Sequence, residues 1–202
     1  AYILPLFSLA IVVWAIIIRN STAKFRRMSF AVSLLLVSAL VMLFRGEGMR
    51  GDASVDFEWR WQKSVEQNLV AETNVNFVAI PAEWSADIVP QWPGFRGPKR
   101  DGIVYGTNII SDWETRPPKE MWKQHIGPGW SSFAVQGPLF FTQEQLGEDE
   151  VVSCYIVSTG ELVWQHKDKT RFWEANGGAG PRATPTIHNG HLYVLGATGI
   201  MN

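Results

Sequence analysis

The stretch Glu150–Asp168, EVVSCYIVSTGELVWQHKD, decides how the C-terminal half of the chain is read. An apolar run from Val151 to Val157 reaches Ser158-Thr159-Gly160. A second run, Glu161 to His166, carries Trp164 four residues beyond the glycine. Glycine takes the positive φ that a tight reversal demands, and Ser and Thr bond their own backbone beside it. The stretch therefore predicts a β-hairpin that turns at Ser158-Thr159-Gly160. It leaves open whether Trp164 does chemistry or holds something together.

Working outward, GPGWSSFAVQGPLFFT (Gly127–Thr142) aligns without a gap on GPRATPTIHNGHLYVL (Gly180–Leu195). Gly127 and Pro128 fall on Gly180 and Pro181, Ser131 on Thr184, Gly137 on Gly190, Leu139 on Leu192 and Phe140 on Tyr193. Each copy predicts a strand, a tight turn at Gly137 or Asn189-Gly190, and a second apolar strand. Asn-Gly between such runs is the strongest short-range hairpin signal, because both central residues of a type I′ turn need positive φ. Self-similarity at roughly 40–50 residues with turn glycines points to propeller blades. The two hairpins, at Gly137 and at Thr159-Gly160, supply the four strands of one blade.

Thr159, Gly160 and Trp164 match the tryptophan-docking motif Ala-x-Asp-x-x-Thr-Gly-x-x-x-Trp, so the chain resembles the PQQ-like (quinoprotein) β-propeller repeat family. Cys154 stands at the Ala place. Ile156 stands at the Asp place, where the family carries a carboxylate that helps bind the turn backbone. WPGFRGPKRDGIV (Trp92–Val104) is similar to the segment leading into bacterial members of the family, and the chain from Gly180 onward to the start of a further blade. The resemblance implies that Trp164 is structural and packs between neighbouring blades. The expected fold is an all-β propeller of four-stranded antiparallel blades, incomplete in this chain, preceded by two transmembrane α-helices. The chain reads as an N-terminal fragment of such a protein: a membrane anchor over 1–45, a linker over 46–90 and a partial propeller over 91–202.

The anchor rests on two charge-free runs, Tyr2–Ile18 and Met28–Phe44. Each is near the lower limit for a membrane-spanning helix, about 17–25 residues. A signal peptide would show one short apolar stretch and a small-residue cleavage site, and a soluble helical hairpin would show a polar face. The loop between them, RNSTAKFRR, holds Arg19, Lys24, Arg26 and Arg27 and no acidic residue. The positive-inside rule places it in the cytoplasm and everything after Phe44 in the periplasm, with the chain in a bacterial inner membrane. Next, GEGMRGDASVD reads as a Gly-rich linker and the stretch from Phe57 as a short helix. Trp59 and Trp61 either sit at the headgroup level or pack on the following domain.

All nineteen acidic residues follow Arg45, whereas five of the eighteen basic ones lie at or before it. That leaves the C-terminal part acidic and excludes the basic stripe that nucleic-acid binding calls for. Cys154 is the single cysteine, so no intrachain disulfide forms, and with no cation beside it the thiol is a small buried hydrophobe. His188 and His191 flank the Asn189-Gly190 turn, but two ligands are too few for a metal site. The insertion DKTRFWEANGGAGPR (Asp168–Arg182) lacks the Gly-Lys-Ser/Thr ending of a phosphate loop. Being longer than a turn needs, it offers Glu174 and Arg182 as candidate cofactor-binding residues. By resemblance, two functions follow. The first is a binding or assembly platform for protein partners at the membrane. The second is a dehydrogenase that uses PQQ and Ca²⁺ to oxidise alcohols or aldose sugars and passes electrons to membrane quinone.

Overall fold

A computed structural model describes residues 3–49, 55–71 and 76–202, and the chain divides into two compact units, Ala1–Gln62 and Lys63–Asn202. In the first unit, helices α1 (Ile3–Ile18) and α2 (Ala23–Met42) are joined by a tight connection in which Ser21 N–H bonds Ile18 O. Trp14 Nε1 donates to Ser29 Oγ across the pair at 3.1 Å, and its ring lies 4.9 Å from Phe30. The 20 residues of α2 reach about 30 Å, the thickness of a bilayer's hydrocarbon core, and none of them is buried. The 16 residues of α1 reach only about 24 Å. Among the described residues one helix, α2, is therefore long and apolar enough to cross a membrane, where two were expected. The charge-free run that suggested the other starts at Tyr2, outside the described residues, and its helix stops at Ile18 where the polar connection begins.

Directly after α2 the expected linker enters a hairpin: β1 (Phe44–Met49) pairs antiparallel with β2 (Val55–Trp59), and residues 50–54 lie outside the described set. Arg45 faces Glu58 in the register and bonds it at 2.8 Å, while Phe44, Trp59 and Trp61 stack in succession at 4.4 and 4.9 Å. A cross-strand ion pair and an aromatic stack outweigh the flexibility that two glycines in β1 would otherwise give.

The second unit opens with α3 (Val65–Ala71), started by a capping box. Gln67 N–H bonds Ser64 Oγ at 3.1 Å, and Ser64 N–H bonds Gln67 Oε1 at 3.0 Å. The main sheet is a meander of β3 (Ala134–Gln136), β4 (Leu139–Leu146), β5 (Asp149–Ile156) and β6 (Leu162–Asp168). Its two-residue turns begin at Gly137 (φ 58°) and Gly147 (φ 60°). Small two-stranded sheets follow: β7 (Trp173–Glu174) with β8 (Gly178–Ala179), and β9 (Thr186–His188) with β10 (His191–Tyr193). The β9–β10 turn has Asn189 at φ 49° and Gly190 at φ 75°, the pair of positive angles the sequence called for.

The expected propeller is not what forms. Among the described residues the strands make four separate antiparallel sheets, one of four strands and three of two, none closed on itself, in a fold that mixes helix and strand. The four-stranded sheet has the predicted strand order. The second sequence copy yields only the three-residue strands β9 and β10 and an isolated bridge, Leu195 to Met201. A repeat predicts like hairpins, and closure depends on contacts that a local pattern does not encode.

One face of the main sheet carries Leu139, Phe141 and Cys154, which form the core with Ala134, Val163 and Ile187. Trp92 brings the 92–97 turn to this core. Its backbone exchanges both hydrogen bonds with Val135 at 2.7 and 3.2 Å, and the next residue, Pro93, accepts Ile187 N–H at 2.7 Å. The two sheets are thus tied through one short segment.

Trp164 is half-buried against this core, 5.9 Å from Phe141, on the sheet it belongs to. A different tryptophan occupies the Thr159-Gly160 turn. Trp122 Nε1 donates to Val157 O at 2.9 Å, and its ring covers Gly160 so closely that a Cβ there would stand 2.5 Å from Trp122 Cε3. Phe140 stacks on Trp122 at 5.8 Å and on Tyr155 at 5.1 Å. The turn closes without a carboxylate at position 156: Gly160 N–H bonds Ile156 O at 2.8 Å, and Ile156 N–H bonds Glu161 O at 2.9 Å.

Trp122→Ala is expected to destabilise the second unit by about 2–3 kcal/mol, from partial loss of aromatic burial and of one hydrogen bond. Gly160→Ala, which strains a φ of 72° and displaces the ring, should act in the same direction. Denaturant unfolding of the full-length protein checks both, and a Trp122→Ala midpoint equal to wild type would refute this placement.

Candidate functional site

The second face of the main sheet is polar, and it is built around Glu144. Along β4 the residues Thr142, Gln143, Glu144 and Gln145 are all buried. Alternation sends Gln143 and Gln145 to the core face and Thr142 and Glu144 to the other. On the core face, Gln143 Nε2 donates to Ala183 O at 3.1 Å and Gln145 Nε2 to Thr170 O at 2.9 Å. The neighbouring Glu150 accepts Ala197 N–H at 2.9 Å. On the second face, Glu144 Oε2 accepts Gly127 N–H at 2.6 Å, and Oε1 accepts Ser153 O–H at 2.5 Å and Tyr155 O–H at 3.1 Å. Gly127 has to be glycine, because a Cβ would lie 2.0 Å from Gln145 O. Burial, followed by the charge of Glu144, drives the Tyr155 phenol well above its ordinary range. Tyr155 is therefore a hydrogen-bond donor here and not a base.

Glu144 also lines a cleft of about 410 Å³ over this face. The cleft is closed in by Leu69 and Val78 before the sheet, His125 in the loop ahead of β3, and Glu161 after the Gly160 turn. Sequence reading passed over Glu144. Its signal was the run Thr-Gln-Glu-Gln inside a strand with apolar ends, since polar side chains on both faces of a covered strand must find buried partners.

Glu174 and Arg182, the residues expected to hold a cofactor, are brought together and bond each other at 3.2 Å. The remaining Arg182 donors close the loop on itself, reaching Gly180 O at 2.7 Å, Gly178 O at 2.9 Å and Ala179 O at 3.3 Å. The guanidinium also lies 5.2 Å from the Phe172 ring, and Trp130 Nε1 bonds Gly177 O at 2.8 Å. Arg182 is therefore the staple of its own loop. His188 and His191 face each other across β9 and β10, both exposed, and His191 Nδ1 pairs with Asn189 O at 2.9 Å. No cluster of three or more His, Cys, Asp or Glu side chains suited to a metal occurs among the described residues. Cys154 is fully buried in the core, and burial pushes its thiol up to about 12.

No family model, curated protein or solved structure matches the chain.

Two outcomes follow. Arg182→Ala should cost about 2 kcal/mol through the charge-assisted bonds it removes from the 178–180 carbonyls, read as a lower unfolding midpoint. An unchanged midpoint would show that the loop holds without it. Cys154 in the native protein should resist iodoacetamide at neutral pH and alkylate fully once denatured. Rapid native labelling would contradict its place in the core.

Proposed function

We propose that the chain is a membrane-anchored periplasmic binding module, related to the PQQ-like repeat proteins, that holds a protein partner and performs no redox chemistry of its own. One observation carries this reading. Between the 92–97 turn and β3, a segment without helix or strand displays Ile103, Val104, Tyr105, Ile109, Ile110 and Trp113, each more than half exposed. The segment is nonetheless locally held. Asp101 bonds the Tyr105 hydroxyl at 2.7 Å and Ile103 N–H at 3.0 Å, and Trp113 Nε1 donates to Ile110 O. Six exposed apolar side chains gathered within residues 103–113 of a locally held segment support an interaction surface. The dehydrogenase reading finds less support, because the cationic group it would use, Arg182, is engaged by its own loop.

Charge supports the proposed orientation, with the second unit on the periplasmic side: α2 begins with Lys24, Arg26 and Arg27, and no acidic residue precedes Glu47. Alkaline phosphatase fused after Gln62 in a bacterial host should be active. An inactive fusion, with an active cytoplasmic reporter at the same point, would reverse the orientation.

The function is tested on the full-length protein in its membrane. A photo-crosslinking residue at Ile109 or Trp113 should give adducts of discrete mass, and the same residue at exposed His188 should give none. Absence of adducts at the first two positions would count against the reading. Saturable binding of PQQ with Ca²⁺, together with alcohol- or aldose-dependent dye reduction that is lost on chelation, would replace it with the dehydrogenase.

A further inference from the structure

The hairpin of β1 and β2 is fastened to the end of α2. Strand β1 starts at Phe44, directly after the α2 cap at Leu43, and Arg60 N–H returns the far end of β2 to Leu43 O at 2.8 Å. Both ends of the hairpin are therefore held at the C-terminal end of the helix. The 20 residues of α2 match the thickness of the hydrocarbon core. With α2 across a bilayer, its C-terminal end lies where acyl chains give way to headgroups.

Strand alternation divides the hairpin by chemistry. Arg45 and Glu58, paired at 2.8 Å, take one face, and Phe44 and Trp59, opposite each other in the register, take the other. Trp61 extends the stack of Phe44 and Trp59. Stacking does not bury these rings: Trp59 is 42% and Trp61 68% exposed, and Leu43 at the helix end is 39% exposed. At a headgroup layer an indole meets acyl chains with its apolar body and polar oxygens with its N–H. Arg60, exposed and between the two indoles in sequence, adds a cation with the geometry to bind phosphate.

We infer that the aromatic face of this hairpin sits in the lipid headgroup layer and fixes the depth of the α2 end, with Arg60 at the lipid phosphates. This contact presupposes the membrane-anchored reading of α2, and it gives the hairpin a lipid surface as its partner in place of the following domain.

The test uses full-length protein in vesicles of phosphatidylcholine and phosphatidylglycerol. A nitrobenzoxadiazole dye is attached at Gln62→Cys, beside the stack, or at Leu35→Cys, within α2, while buried Cys154 stays unlabelled. Lipids bearing a nitroxide on the headgroup or at the acyl-chain end quench the dye according to its depth. At position 35 the acyl-end nitroxide should quench more strongly, and at position 62 the headgroup nitroxide. A tether alone would also keep position 62 near the surface, so the rings are tested separately. Trp61→Ser, at an exposed position, should lower headgroup quenching at position 62 and leave quenching at position 35 unchanged. With position 35 quenched, three results would overturn the inference: no quenching at position 62, stronger quenching there by the acyl-end nitroxide, or wild-type quenching in Trp61→Ser. An unquenched position 35 would remove the span itself, and the headgroup contact with it.

Discussion

Strand β4 buries Thr142, Gln143, Glu144 and Gln145 in succession, and a buried polar group without a partner is destabilising. Each of the four meets that constraint by reaching a different segment. Thr142 bonds Ser132 O, Gln143 bonds Ala183 O, Glu144 accepts Gly127 N–H, and Gln145 bonds Thr170 O. Apolar contact alone would let these segments slide, because it has no direction. Hydrogen bonds to fixed backbone groups do have direction, so the loops on both faces of the sheet take their positions from one strand.

The same logic separates structure from function around the sheet. Arg182 and Glu174 have the composition of a ligand site, yet their bonds all end within residues 174–182. The Glu144 network is likewise closed: its carboxylate accepts from Gly127, Ser153 and Tyr155, and Gln165 Oε1, buried and without a donor among the described residues, is sealed from the surface. A satisfied network of this kind rigidifies.

What could be read in advance was whatever is encoded locally. Asn189-Gly190, Gly137 and Gly160 announced their turns because positive φ is a property of single residues, and the strand order β3 to β6 followed from those turns. Cys154 was placed in the core by the apolar strand around it. What was not legible concerns distant partners. Trp164 stood out by its spacing from the turn, whereas Trp122, whose ring covers that turn from 35 residues away, gave no local signal. The hairpin of β1 and β2 was hidden because two glycines and many polar residues describe a linker equally well until Arg45 meets Glu58. Closure of the sheets and the exact length of α1 were likewise not local properties.

The two Gly-Pro pairs that opened the internal repeat turn out to be neighbours in space. Gly180, at φ 91°, passes so near Pro128 that a Cβ would stand 2.1 Å from its carbonyl oxygen, and Trp130 N–H bonds Pro181 O at 2.8 Å. Gly129 in turn fits against the Pro181 ring. Here the two segments are each other's packing surface, and substitutions at touching positions do not add independently. A change at either Gly-Pro pair is therefore felt at the other, and the two pairs respond to mutation as one site.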